Sequence, residues 1–179
     1  MHTLPAADAL WSTVEALGEA LVQRGWMLAT AESCTGGLIA ATCTEIAGSS
    51  RWLERGFVTY SNAAKHEQLG VPEALIATHG AVSGPVVQAM VQGAVAHAAA
   101  QVAIAVTGVA GPGGGSPDKP VGTVWMGWHL AGHTYIQCQH FAGDRHAVRQ
   151  QTVAHALRQL LAWLQAPYTA GQALPCTAS

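Results

Sequence analysis

The chain contains two lysines, Lys65 and Lys119. Lys65 follows a short β-rich run that ends in Tyr60, at a spacing that would put it on the first turns of a helix beginning near Ser61. A lysine can act as a general base only when it is neutral. Its ordinary pKa of about 10.4 makes deprotonation at pH 7 cost about 4.6 kcal/mol. Burial in an apolar site lowers that cost by penalising the charged form, and the positive end of a helix dipole near Lys65 works in the same direction. The candidate nucleophiles for such a base are Ser33, Cys34, Ser49 and Ser50, each in a polar, glycine-bearing segment. The phenol of Tyr60 can donate and accept, and so could orient a nucleophile and an amine toward each other. The same spacing also suits a solvated lysine on a helix surface, so the pattern raises a chemistry without assigning it.

Other chemistries find less support. Cys34 stands at the start of a predicted helix, where a thiol pKa falls, and a cysteine-nucleophile hydrolase is the nearest alternative. There is no GxSxG elbow, no Walker motif, and no GxGxxG after the first strand. The nine histidines form no HExxH and no Cys/His group with ligand spacing, and His129 and His133 straddle the turn-like Ala131-Gly132. No metal and no cofactor are expected. Charged residues make up 10% of the chain, with a net charge of −2. The few cations are scattered, which argues against a nucleic-acid partner. Apolar runs fall well short of the roughly 20 residues that span a membrane, so no membrane partner is expected. Four cysteines without a CxxC pair, and no charged and apolar leader at the N-terminus, point to a reducing cytoplasm.

The elements that must hold these residues follow from periodicity. Leu10, Val14, Leu17 and Leu21 recur at helical spacing up to Arg24-Gly25. Residues 26–31 read as a strand leading into the turn around Ser33, and residues 38–46 as a second helix. After the break at Gly48, residues 56–60 form a β-rich run, and Ser61 is the expected N-cap of the helix that carries Lys65 and Leu69 to Gly70. Ser83 and Pro85 announce a helix with an apolar stripe of Val87, Met90, Val91, Ala94 and Val95. Residues 102–107 read as its partner strand, and 108–118 are too rich in Gly and Pro for any regular element. Residues 121–130 and 135–141 read as an antiparallel hairpin, and a long closing helix is expected to begin near Asp144. With 179 residues, half of them hydrophobic, one domain over 1–165 is the expectation, followed by a loose tail over 166–179. The polar loops around Ser33, Ser50 and 108–118 would converge at the carboxyl ends of strands, where open α/β sheets bind ligands.

Five strings carry a resemblance: AESCTGG at 31–37, IAGSSRWLERGFVTYSNAAK at 46–65, GAVS at 80–83, TGVAGPGGGSPDKPVGTVW at 107–125 and FAGDR at 141–145. In this order, from about Leu10 to about Leu164, the chain resembles the CinA C-terminal domain family. The resemblance implies an α/β fold with three α/β/α layers and a mixed, mainly parallel sheet. It also implies hydrolysis of nicotinamide mononucleotide to nicotinic acid mononucleotide and ammonia, in pyridine-nucleotide salvage, without a cofactor. A homodimer is expected from the family's habit and from the apolar composition.

By the same resemblance Ser50 is the nucleophile and Lys65 its base, with Tyr60 supporting them. The oxyanion would be met by backbone N–H groups near Ser49-Ser50 or by the Ser33 hydroxyl. The nucleotide would be held by Ser33, Thr107, Gly111 and Gly113 of the glycine-rich loop, and Arg145 at a helix start would meet its phosphate. A nucleotide-binding module without turnover is the alternative of a different class.

Overall fold

The computed structural model describes residues 5–166, and the tail expected beyond them lies outside the described residues. Six α-helices surround five strands: α1 (Pro5–Arg24), β1 (Leu28–Glu32), α2 (Leu38–Thr44), β2 (Leu53–Val58), α3 (Asn62–Leu69), α4 (Glu73–His79), α5 (Gly84–Ala96), β3 (Val102–Gly108), β4 (Thr123–Leu130), β5 (His133–His140) and α6 (Arg145–Gln165). The sheet order is β2-β1-β3-β4-β5. β1 pairs in parallel with β2 and β3, whereas β3–β4 and β4–β5 are antiparallel, so the mixed sheet divides evenly between the two modes.

Strand β3 shows how the layers form. Val102, Ile104 and Val106 point into one core, shared with Val14, Leu17 and Leu21 of α1 and Val153, Leu157 and Leu160 of α6. Ala103 and Ala105 point the other way, into a core with Val87, Met90 and Val91 of α5 and Leu69 of α3. Period-two alternation therefore gives each face of the sheet its own helical layer. The face toward α5 carries small residues, which lets that helix lie close. At Gly127 in β4 an added Cβ would meet Val87 O at 3.2 Å.

Helix boundaries follow the local chemistry. Ser61 Oγ accepts from the Ala64 N–H at 3.0 Å and Gly70 closes α3 in the left-handed conformation. Asp144 caps α6 by accepting from the Ala147 N–H at 2.8 Å. The structure adds α4, which periodicity does not announce, and begins β2 at Leu53, three residues earlier than expected. That earlier start matters for the site. Trp52, 2% exposed, is inserted against Gly18 of α1, and its carbonyl accepts from Leu28 N–H at 2.7 Å, so the turn Ser49–Arg51 is pinned at the beginning of β2.

Candidate active site

A cleft of about 200 Å³ opens at the carboxyl ends of β1, β2 and β3. β1 delivers Ser33 and Cys34, β2 leads into Tyr60, α3 supplies Asn62 and Lys65, and β3 ends there with Thr107 and Gly108. Ala81, Val82, Ala110 and Arg145 complete the wall.

At its floor Lys65 is 1% exposed. Its Nζ donates to Ser33 Oγ at 3.0 Å and to the Thr59 carbonyl at 3.0 Å. Burial lowers the Lys65 pKa from its ordinary value, against a smaller upward push from Cys34. Among the described residues no carboxylate lies within ion-pair distance of it. With the amine neutral, the same geometry lets the Ser33 hydroxyl donate to its lone pair, which is the arrangement of a nucleophile and its general base.

The turn that presents Ser33 is built around a buried carboxylate. Glu32 is fully buried. Its Oε1 accepts from Thr30 Oγ1 and the Ala40 N–H, and its Oε2 from Thr35 Oγ1, the Gly37 N–H and the Ile39 N–H. Five donors tie the end of β1 to the start of α2, and the Ser33 N–H continues the ladder by donating to Val106 O at 3.0 Å. Cys34 beside it does not have the low pKa expected of a thiol at a helix start. Burial pushes its pKa up to about 12, with Glu32 adding to the rise, and α2 begins four residues later.

The remaining expected residues divide. Thr107 lines the cleft, but its hydroxyl donates to Ala81 O at 2.9 Å and so fixes the loop before α5. Arg145 spans the rim, donating to Gly111 O and to the Tyr60 hydroxyl, both at 2.8 Å. The Tyr60 hydroxyl thus bonds to Arg145 and to neither Ser33 nor Lys65. Gly113 is exposed further out on the loop and does not line the cleft.

Ser50 is not brought to Lys65. It is exposed in the turn that precedes β2, while Lys65 follows the other end of that strand, and six strand residues separate the two ends by roughly 20 Å. The Ser49-Ser50 amides are equally remote from the cleft as oxyanion donors. The chain order contains the reason. The Ser33 segment runs strand–turn–helix and emerges at a carboxyl end, whereas the Ser50 segment runs helix–turn–strand and returns to the opposite end. Glu32 and Asn62 escape periodicity altogether; the one available signal for Glu32 is an acid closing the apolar run before a glycine turn.

The model of the CinA C-terminal domain matches residues 11–164. The chain belongs to the CinA C-terminal domain family. The nicotinamide-nucleotide amidohydrolase PncC of Pseudomonas putida is 54% identical over 154 residues, which cover 86% of this chain and 96% of that protein. Among solved structures, the competence/damage inducible protein CihA from Agrobacterium tumefaciens superposes with a TM-score of 0.85 at 42% identity, covering 90% of this chain and 98% of that one. A CinA superfamily protein from Escherichia coli gives a TM-score of 0.84 at 39% identity, covering 89% and 93%. The three-layer fold expected from the resemblance is the fold of these family members. Among the described residues no three His, Cys, Asp or Glu side chains gather as metal ligands, and no helix is long and apolar enough to cross a membrane.

Proposed function

We propose that this chain is a nicotinamide-nucleotide amidohydrolase acting in pyridine-nucleotide salvage, and that Ser33 with Lys65 performs the chemistry. The 3.0 Å contact between Lys65 Nζ and Ser33 Oγ at the floor of the cleft carries the reading. Similarity to the Pseudomonas putida amidohydrolase over nearly the whole of both proteins supports the substrate.

On this reading neutral Lys65 takes the Ser33 hydroxyl proton as Oγ attacks the carboxamide carbon. The proton passes from the Lys65 ammonium to the amide nitrogen, the C–N bond breaks, and ammonia leaves an acyl ester on Ser33. Water then attacks the ester, Lys65 receives its proton and returns it to Ser33 Oγ, and the carboxylate product departs. The Thr59 carbonyl holds the amine in place through both half-reactions. Arg145 at the rim supplies positive charge for the nucleotide phosphate.

Free thiols at Cys34, Cys43 and Cys138 are consistent with a reducing cytoplasm, and the outer edge of β5, where Ile136 is 40% exposed, is a surface available to a homodimer.

The deciding experiment measures ammonia release from nicotinamide mononucleotide by chelator-treated protein. The parent should release ammonia, Ser33→Ala should lose at least about 10³-fold in kcat while staying folded, and Ser50→Ala should stay within about twofold. Loss in Ser50→Ala with Ser33→Ala still active would return the nucleophile to Ser50; no release by the parent would favour a binding module.

A further inference from the structure

Nicotinamide mononucleotide carries a pyridinium ring, a fixed cation, and the cleft must receive it beside Arg145. No residue lining the cleft is acidic. The nearest carboxylate along the chain, Glu32, is fully buried with both oxygens occupied by five donors. Such a cleft offers a cation no opposite charge.

It does offer one aromatic ring. Among the lining residues Tyr60 alone is aromatic, and it is 61% exposed. Its hydroxyl is held by Arg145 at 2.8 Å, and Arg145 is itself anchored on Gly111 O. The polar tip of Tyr60 is therefore engaged away from the Ser33–Lys65 pair, and what it presents to a ligand is its ring. The negative face of an aromatic ring attracts a cation most strongly where water is partly excluded.

We infer that Tyr60 determines specificity for the oxidised, cationic pyridinium ring by stacking against it, and is not a proton-transfer group. This rests on the amidohydrolase reading for the identity of the substrate. It deepens that reading by predicting discrimination between the pyridinium nucleotide and its dihydropyridine counterpart, which has the same phosphate, ribose and carboxamide but a neutral ring.

The test compares Tyr60→Phe, which keeps the ring, with Tyr60→Leu, which keeps only apolar bulk. Dissociation constants for both nucleotides are measured by calorimetry in the Ser33→Ala background, and ammonia release is measured in the otherwise unaltered enzyme. Relative to Tyr60→Phe, which equally releases Arg145, Tyr60→Leu should weaken the pyridinium nucleotide about tenfold and the dihydropyridine nucleotide less than about twofold, and Tyr60→Phe should keep the parent's ratio of the two affinities. Equal weakening of the two nucleotides by Tyr60→Leu would overturn the inference, because a plain apolar contact does not sense charge. A hundredfold fall in kcat for Tyr60→Phe at unchanged affinity would also overturn it, by putting the phenol into the chemistry. If the parent releases no ammonia, the amidohydrolase reading falls by itself, while the charge-selective loss of affinity still supports the role of the ring. Thermal unfolding of both variants should match the parent, since Tyr60 lies on the surface.

Discussion

Lys65 Nζ lies 3.0 Å from Ser33 Oγ, across 32 positions of sequence. β1 and β2 run parallel with Glu32 opposite Val58, so the residues that leave these two strands emerge side by side at one edge of the sheet. Ser33 leaves directly from β1. Lys65 returns to the same place one helical turn into α3, where the Thr59 carbonyl at the end of β2 holds its amine.

The pH dependence of activity should report Lys65. Burial holds its pKa below the ordinary lysine value, so kcat/KM should climb with pH through that lowered value, and Lys65→Met should abolish both the climb and most of the rate. The same shift links to stability. Between the folded pKa and about 10.4 the unfolded chain binds more protons than the folded one, so the parent gains stability as pH rises through that window. Denaturant titrations from pH 7 upward should show the parent gaining stability relative to Lys65→Met, so that the gap between them changes with pH. A constant gap would mean that Lys65 titrates alike in both states.

Cys34 should be dispensable for chemistry. With a pKa of about 12, its thiolate fraction at pH 8 is on the order of 10⁻⁴, too small for a productive nucleophile at that pH. Cys34→Ala should keep activity within about fivefold, and mass spectrometry after brief alkylation should find the exposed Cys138 modified well before Cys34. Complete inactivity of a well-folded Cys34→Ala would restore the cysteine mechanism.

Gly93 in α5 should control the position of Lys65 from behind. A Cβ there would lie 2.0 Å from the Leu69 carbonyl oxygen, so Gly93→Ala must push α3 away from α5, and Lys65 sits one turn earlier on that helix. We expect a fall of at least tenfold in kcat and a lowered Tm, because the neighbour that must give way is backbone. Parent-like kcat and Tm would show that α3 slides without moving the amine.

Glu32→Gln tests the turn that presents Ser33. Each carboxylate oxygen accepts from at least one backbone N–H, so whichever way the amide of a glutamine turns, its NH₂ faces a donor. Leaving such buried groups unpaired costs about 1–3 kcal/mol each, and a Tm lower by roughly 5–10 °C is expected by thermal unfolding. Activity should fall with it, in kcat more than in KM, since the change moves the Ser33 turn while leaving the rim intact. A Tm within a degree of the parent would mean that the turn does not depend on the charge.

Much of this arrangement is readable along the chain because it is locally encoded. Ser61 and Asp144 announce their helices by capping them, the alternation in residues 102–106 separates two faces, and the Gly/Pro run after Thr107 can only be a loop. Lys65 stands out as one of two lysines, placed where a helix begins. These features depend on neighbours a few residues away, so composition and period suffice.

The partner of Lys65 is a different kind of fact. Ser33 and Ser50 both sit in polar turns next to strands, and the one difference legible along the chain is the order of elements around them, strand–turn–helix for Ser33 and helix–turn–strand for Ser50. The distinction comes from which end of the parallel sheet each turn occupies, and from Trp52 packing on Gly18 to pin the Ser50 turn at the far end. The partner of the Tyr60 hydroxyl is decided in the same way, since it accepts from an arginine 85 residues away. Contacts of that range depend on packing two helical layers onto one sheet, so tertiary structure alone decides them.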